Sequence, residues 1–395
     1  MQVHALFYLA LAALTATAAG ADDNCSGNVQ VESQEDLNKL GGCKKFSGSI
    51  DINGAGASTI NLSNLQSVGG DLTIQNIDVL QKVELASLAS VTGKLTVQNN
   101  TQLGSINCQN LTKVDSFSVT GNPNLQSLNL GEGLTEAKSF QLVDSAIKEL
   151  KGTNFDKVDS VEIYGNRNLK NISMSELTGV MGYFSVVNNN DEASLDLPKL
   201  TEVQENCTFA NLVEFSAPEL KKIHGNINII DNKLEKFSLE KLMDVKSSLS
   251  VINNENLKEF SFDALAAVGG NLVVVNNTNL ESMNGFPSLE NVDGTIDIRG
   301  HFDEVAFDSL SKVKGGFTVM STEAIDCSKL GDTYGTGKVT DGKWTCKDKS
   351  NDDEVSSSDL TGGSKADSAA VSTGSSLLSF VSTLSVTILV IHHAL

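Results

Sequence analysis

The sequence predicts an all-β chain folded as a parallel β-solenoid of about thirteen coils. Three observations predict it. A short apolar–polar–apolar alternation returns every 20–24 residues. Asparagine or glycine follows it in most returns, as in "LSVINN" at 249–254 and "LVVVNN" at 272–277. Between returns no stretch is long enough for a full amphipathic helix. A coil of about 22 residues built from strands and turns cannot bury its own apolar face, whereas stacked coils bury a continuous core.

The first element of each coil is the alternation itself. Its opening residue, position 1, is Ile50, Leu72, Leu95, Phe117, Phe140, Val161, Phe184, Cys207, Ile227, Leu249, Leu272, Ile296 and Phe317. Position 3 is apolar throughout, from Ile52 to Val319, and position 2 is polar except at Val273. Such alternation marks a strand with one buried face. At ~4.8 Å per rung, thirteen rungs make a rod on the order of 60 Å long.

A corner follows. Position 5 is Asn76, Asn99, Gly121, Gly165, Asn188, Asp231, Asn253 or Asn276 in eight coils, residue types that tolerate positive φ. Position 6 is Asn100, Asn122, Asn166, Asn189, Asn232, Asn254 and Asn277. Stacked in register these form an asparagine ladder, whose amides meet backbone groups that the corner leaves without strand partners. A row of amides binding a ligand is the alternative. After the corner a second extended stretch reads "NLxxLxL", as at 124–130, and a Leu-x-x-Val often followed by Gly leads into the next coil.

The ends of a solenoid need caps. "SQEDLNKLGG" at 33–42 offers a short helix, with Ser33 and Asp36 at its start, Leu37 and Leu40 on one side and Gly41 at its end. A Cys25–Cys43 disulfide would staple this cap. Trp344 and a Cys327–Cys346 disulfide would close the other end. Cys108 and Cys207 lie in coils five rungs apart, about 24 Å, too far for a disulfide. Both are expected as free, buried thiols.

Beyond the solenoid, residues 1–19 read as a secretory signal peptide. From 20 to 346 runs the ectodomain. Residues 347–376 are rich in Ser, Gly and Asp and read as a disordered stalk. The apolar segment 377–395 follows a polar spacer with small residues, the order of a GPI-attachment signal. The attachment residue is placed at Asp367, Ser368 or Ser364. A single membrane span is the alternative, but the tail is short and interrupted by Ser and Thr. Seven N-x-Ser/Thr sequons, at Asn24, Asn61, Asn99, Asn110, Asn171, Asn206 and Asn276, are expected glycan sites.

Composition narrows function. The formal charge is −20, with 49 acidic and 29 basic residues, and no basic patch stands out. This argues against a nucleic-acid partner. No nucleophile, phosphate-binding or zinc motif occurs, and no cofactor or metal is expected. "NVDGTID" at 291–297 has a calcium-loop alternation without the remaining spacing. A solenoid glycan hydrolase needs two carboxylates about 5–10 Å apart, yet position 2 is acidic only at Asp51, Glu162 and Asp297. The chain is therefore not expected to be an enzyme. Position 4, which faces outward with position 2, is polar early on but becomes Val143, Tyr164, Val187, Ala210, Ile230, Ile252 and Val275. This apolar stripe is a candidate contact surface for a protein, a second copy or a polysaccharide. The plainer reading is that β-branched residues suit a strand.

The signal peptide, "SQEDLNKLGGC", "FSGSIDI", the repeated "LxxVxGxLxVxNN", the terminal Trp-x-Cys and the apolar tail together resemble the fungal GPI-anchored cell-wall organisation proteins, of the sporulation-specific cell-wall protein type. The resemblance covers nearly the whole chain. It implies receptor L-domain-like or leucine-rich-repeat-like coils and a non-catalytic surface glycoprotein needed for wall integrity. Its implied surroundings are the plasma membrane, reached through the anchor, and wall polysaccharide or surface glycoproteins. Alternatives are a wall-glycan-modifying enzyme and a receptor for a protein or glycan. The family supplies no catalytic residues. The short stalk departs from longer-stalked wall proteins and leaves membrane retention and covalent wall linkage both open.

Overall fold

The computed structural model describes residues 25–350, 355 and 357–360. The described chain is a parallel β-solenoid. Every position-1 residue pairs with the next one along: Ile50 with Leu72, Leu72 with Leu95, and so on to Ile296 with Phe317. One long sheet thus carries positions 1–4 of all thirteen coils. It also gains a rung at each end, Val29–Val31 before Ile50–Asn53 and Trp344–Lys347 after Phe317–Ser321. Positions 1 and 3 are buried along the whole stack, each large side chain contributing roughly 2 kcal/mol by leaving water.

The coil has three sides rather than two. The "NLxxLxL" stretch forms short sheets, as in Lys82–Glu84 paired with Ser105–Asn107. The Leu-x-x-Val stretch, read from sequence only as a lead-in, forms a third sheet of eight two-residue strands from Lys157–Val158 to Lys312–Val313. In early coils it runs unbroken into the long sheet, as in Ser90–Gln98 and Lys113–Asn122. Two residues are too few to show an alternation, so only pairing reveals this side.

Backbone conformation accounts for the corner. All eight expected position-5 residues have positive φ, from 54° to 70°. So do Gly54, Asp144 and Asn211 at the same place in three further coils. Left-handed backbone costs an ordinary L-residue roughly 1–2 kcal/mol, and Asn, Asp and Gly bear it best.

Both ends are closed. Helix α1, Gln34–Leu40, starts at Ser33, whose side chain accepts from the Asp36 N–H at 3.3 Å, and it buries Leu37 and Leu40. Cys25 is disulfide-bonded to Cys43 across a Cα–Cα distance of 5.7 Å. At the far end helix α2, Cys327–Tyr334, is inserted before the last rung. Its Tyr334 hydroxyl accepts from the Phe307 N–H at 3.0 Å, and Cys327 is bonded to Cys346, again at 5.7 Å. Phe286, Phe307, Phe317 and Trp344 run ring against ring into this cap. Cys108 and Cys207 are free and buried. Burial, with a smaller contribution from Glu84, pushes the Cys108 thiol up to about 12, and burial raises that of Cys207 as well.

The segment 347–376 begins inside this structure. Lys347 ends the last strand, and a single-turn helix α3, Ser357–Leu360, lies against the strand Ile296–Gly300 of the long sheet. Val355 and Leu360 are buried, and Arg299 Nη1 donates to the Asp359 carbonyl at 3.2 Å. The signal peptide, Asn24, the attachment candidates Ser364, Asp367 and Ser368, and the apolar segment 377–395 lie outside the described residues. No described helix is long and apolar enough to cross a membrane.

Candidate contact surface

Two rows of side chains, two residues apart along each strand, define the long sheet chemically. The inner row is the ladder at position 6. All seven asparagines are buried, none more than 8% exposed. Each Nδ2 donates to the position-3 carbonyl of the preceding coil, as Asn254 does to Ile229 O at 3.0 Å and Asn277 to Val251 O at 3.0 Å. Each Oδ1 that has a ladder neighbour behind it accepts that neighbour's backbone N–H, as in Asn232 N to Asn254 Oδ1 at 3.1 Å and Asn254 N to Asn277 Oδ1 at 2.9 Å. Ser145 and Leu212 break the row into three runs, yet their own N–H groups still donate to Asn166 and Asn232. These amides are fully engaged with backbone and face inward, so they are not available to a ligand.

The outer row is position 4. Val143, Tyr164, Val187, Ala210, Ile230, Ile252 and Val275 stand side by side in register. The sequence predicts an exposed apolar stripe seven rungs long. In the structure its centre is covered. Val187, Ala210 and Ile230 are only 2–8% exposed and form a small second core with Tyr164 and Ile252. The reason is spacing. Rungs ~4.8 Å apart put branched side chains in direct contact, so each shields the next. Val143, Tyr164, Ile252 and Val275 remain half-buried.

Position 2 continues the face. Ser118 Oγ donates to Gln141 Oε1 at 2.8 Å, and Gln141 Nε2 donates to Glu162 Oε2 at 2.8 Å. Asn228 Nδ2 donates to Thr208 Oγ1 at 3.2 Å. Asp297 is held by Arg299, whose Nε donates at 2.7 Å, and the strand partners of Asp51, Glu162 and Asp297 on adjacent rungs carry no carboxylate. The residue before position 1 also faces outward. Tyr183 occupies that place and is 41% exposed, the largest exposed aromatic of the face. Burial and the nearby Glu162 raise its phenol above the usual value, while a hydrogen bond with Ser160 acts the other way. Sequence reading missed Tyr183 because it counted each strand from its first inward residue. Extending the alternation by one residue would have found it.

The other two sides and the corners are charged. Lysine–carboxylate pairs join successive rungs there, among them Lys113–Glu136 at 2.5 Å, Lys199–Glu176 at 2.7 Å, Lys241–Glu219 at 2.5 Å and Lys170–Glu192. Lys170 holds the Glu192 carboxyl below its usual range, and Lys241 does the same for Glu219. Of the six described sequons, Asn61, Asn110, Asn171 and Asn206 are exposed, and Asn99 and Asn276 are half-buried at position 5. Among the described residues no group of His, Cys, Asp and Glu is placed to hold a metal ion. His224 and His301 are engaged separately, with Glu202 at 2.6 Å and Thr322 at 2.5 Å.

No family model and no solved structure matches the chain. Curated proteins do. A cell surface GPI-anchored protein of Arthroderma benhamiae is 30% identical over 353 residues, which span 87% of each chain. The chain belongs to this family of fungal cell-surface GPI-anchored proteins. Other members include sporulation-specific protein 22 of Saccharomyces cerevisiae, 30% identical over 80% of this chain and 69% of its own. The cell surface GPI-anchored protein ECM33 of Candida albicans is 29% identical over 91% of this chain and 87% of its own. Members are named as cell-surface and cell-wall proteins, and this chain is accordingly a protein of the fungal cell surface and wall. Among the described residues, the outward positions of coils five to eleven take no part in the lysine–carboxylate pairs that join rungs elsewhere.

Proposed function

We propose that the chain is a non-catalytic scaffold of the fungal wall, held to the plasma membrane by a GPI anchor, which meets other wall components through the outward face of its long sheet. One observation carries this reading. In coils five to eleven the outward positions hold hydroxyl, amide, aliphatic and tyrosine side chains with a single carboxylate, Glu162, while the remaining sides carry rung-to-rung ion pairs. A surface kept free of charge in a chain of net charge −20 suits contact more than solvation.

The test replaces Val143, Ile252 and Val275, the half-buried aliphatic members of the face, with Thr in a strain lacking the protein. The folded variant is expected to leave the wall sensitive to wall-binding dyes. Full restoration of wall integrity would remove the face from function. The anchor is tested separately. Phospholipase treatment should release the protein from membranes, and deletion of 377–395 should send it to the medium. Retention of the truncated form on membranes would refute the anchor.

A further inference from the structure

We propose that the outward face around Tyr164 and Tyr183 is a seat for an uncharged linear polysaccharide. This rests on the reading of that face as the contact surface and names its ligand.

Charge comes first. The three outward positions of coils five to eleven include one ionisable acid and no base, although 20% of the chain is charged. An acidic polymer or peptide would need cations there, and a basic one several carboxylates. The face offers neither. It matches a neutral partner.

Hydrogen-bonding groups come second. Ser160, Ser185, Thr208 and Gln141 are half-buried and present hydroxyls and an amide, groups that donate and accept as sugar hydroxyls do. Tyr164 and Tyr183 sit on adjacent rungs at opposite edges of the face, about 14 Å apart by strand rise and rung spacing. Asn188 Nδ2 donates to the Tyr164 hydroxyl at 3.3 Å, which helps fix that ring. Each tyrosine offers an apolar ring face to the C–H side of a pyranose and a hydroxyl to its rim. Glu162 lies between them, 7% exposed and bonded to Gln141.

Size comes third. Seven rungs and four residues of strand give a face of roughly 30 by 13 Å, about 400 Å². A stable protein complex covers about 800 Å² on each partner, so a second copy is too large for this face alone. A single extended polymer strand fits. Helix α3 and the Arg299–Asp297 pair bound the seat at coil twelve.

The experiment uses full-length protein extracted in detergent, as wild type, Tyr183→Ala and Ser185→Lys. Both changed side chains are partly exposed, and circular dichroism confirms each fold. The probes are soluble linear β-1,3-glucan, a chitin hexamer and a phosphorylated mannan. Wild type is expected to bind at least one neutral probe, and each variant to weaken that binding about tenfold or more. Phosphorylated mannan should be indifferent to Tyr183→Ala. Wild type that binds neither neutral probe, or neutral binding unmoved by both variants, overturns the proposal. The same variants are scored for wall integrity in cells. If they fail in cells while wild type binds no neutral probe, the face serves a protein partner, and this inference falls while the contact reading stands. If both variants restore the wall fully, the contact reading falls with it.

Discussion

The inner and outer rows of the long sheet invert the usual placement of polarity. Seven asparagines lie inside and seven largely aliphatic residues outside, two positions apart, and five coils carry both. The difference follows from what the backbone needs at each place. At position 6 the chain has just turned through positive φ, and its N–H and C=O groups have left the strand ladder. An unpaired buried backbone group costs roughly 1–3 kcal/mol, so an amide that serves both donor and acceptor outweighs an apolar side chain. At position 4 the ladder is complete, and the outward residue is chosen by cross-rung packing, where branched side chains suit.

Breaking the inner row should have the largest effect. Asn254→Leu leaves the Asn232 N–H and the Ile229 carbonyl without their partners and is expected to destabilise by on the order of 4 kcal/mol. Urea unfolding measures it, and a loss under 1 kcal/mol would mean that the ladder is ornamental. Alkaline pH gives the next effect. In the unfolded chain a thiol ionises near 9, whereas burial keeps folded Cys108 neutral up to about 12. The unfolded state therefore releases its proton first, and stability should fall as pH climbs from about 9 towards 12. Cys108→Ala should flatten that fall, while native wild type resists thiol reagents at pH 8 and reacts at both free cysteines once unfolded.

Changes of about 1 kcal/mol sharpen the contrast. Ile230→Thr should cost roughly that much, because Ile230 is packed rather than solvated. An unchanged unfolding midpoint would restore the picture of a bare stripe. Ser145→Asn should fill a ladder gap and stabilise by up to about 1 kcal/mol, whereas a loss would show that the gap is there for shape. Lys199→Ala, on a charged side, should change stability by no more than about 0.5 kcal/mol, since its pair with Glu176 is half-exposed on both partners.

Much of this was determined by sequence alone, because a solenoid repeats one local rule. The position-1 residues from Ile50 to Phe317 mark the strands, and Asn76 to Asn276 mark the corners, since alternation and positive φ are properties of neighbours along the chain. The pairing of every position-1 residue with the next follows once the period is seen. Other features needed tertiary structure. Ser67–Val68 and its counterparts form a third side through partners a full coil away. Trp344 joins the long sheet 27 residues after Phe317 because α2 fills the interval, which hides it from a search at a fixed period. Ile230 withdraws from the outward face through neighbours on adjacent rungs. Arg299 meets Asp359 sixty residues on. In each case the deciding contact joins residues distant along the chain, and only the stacked coils bring them together.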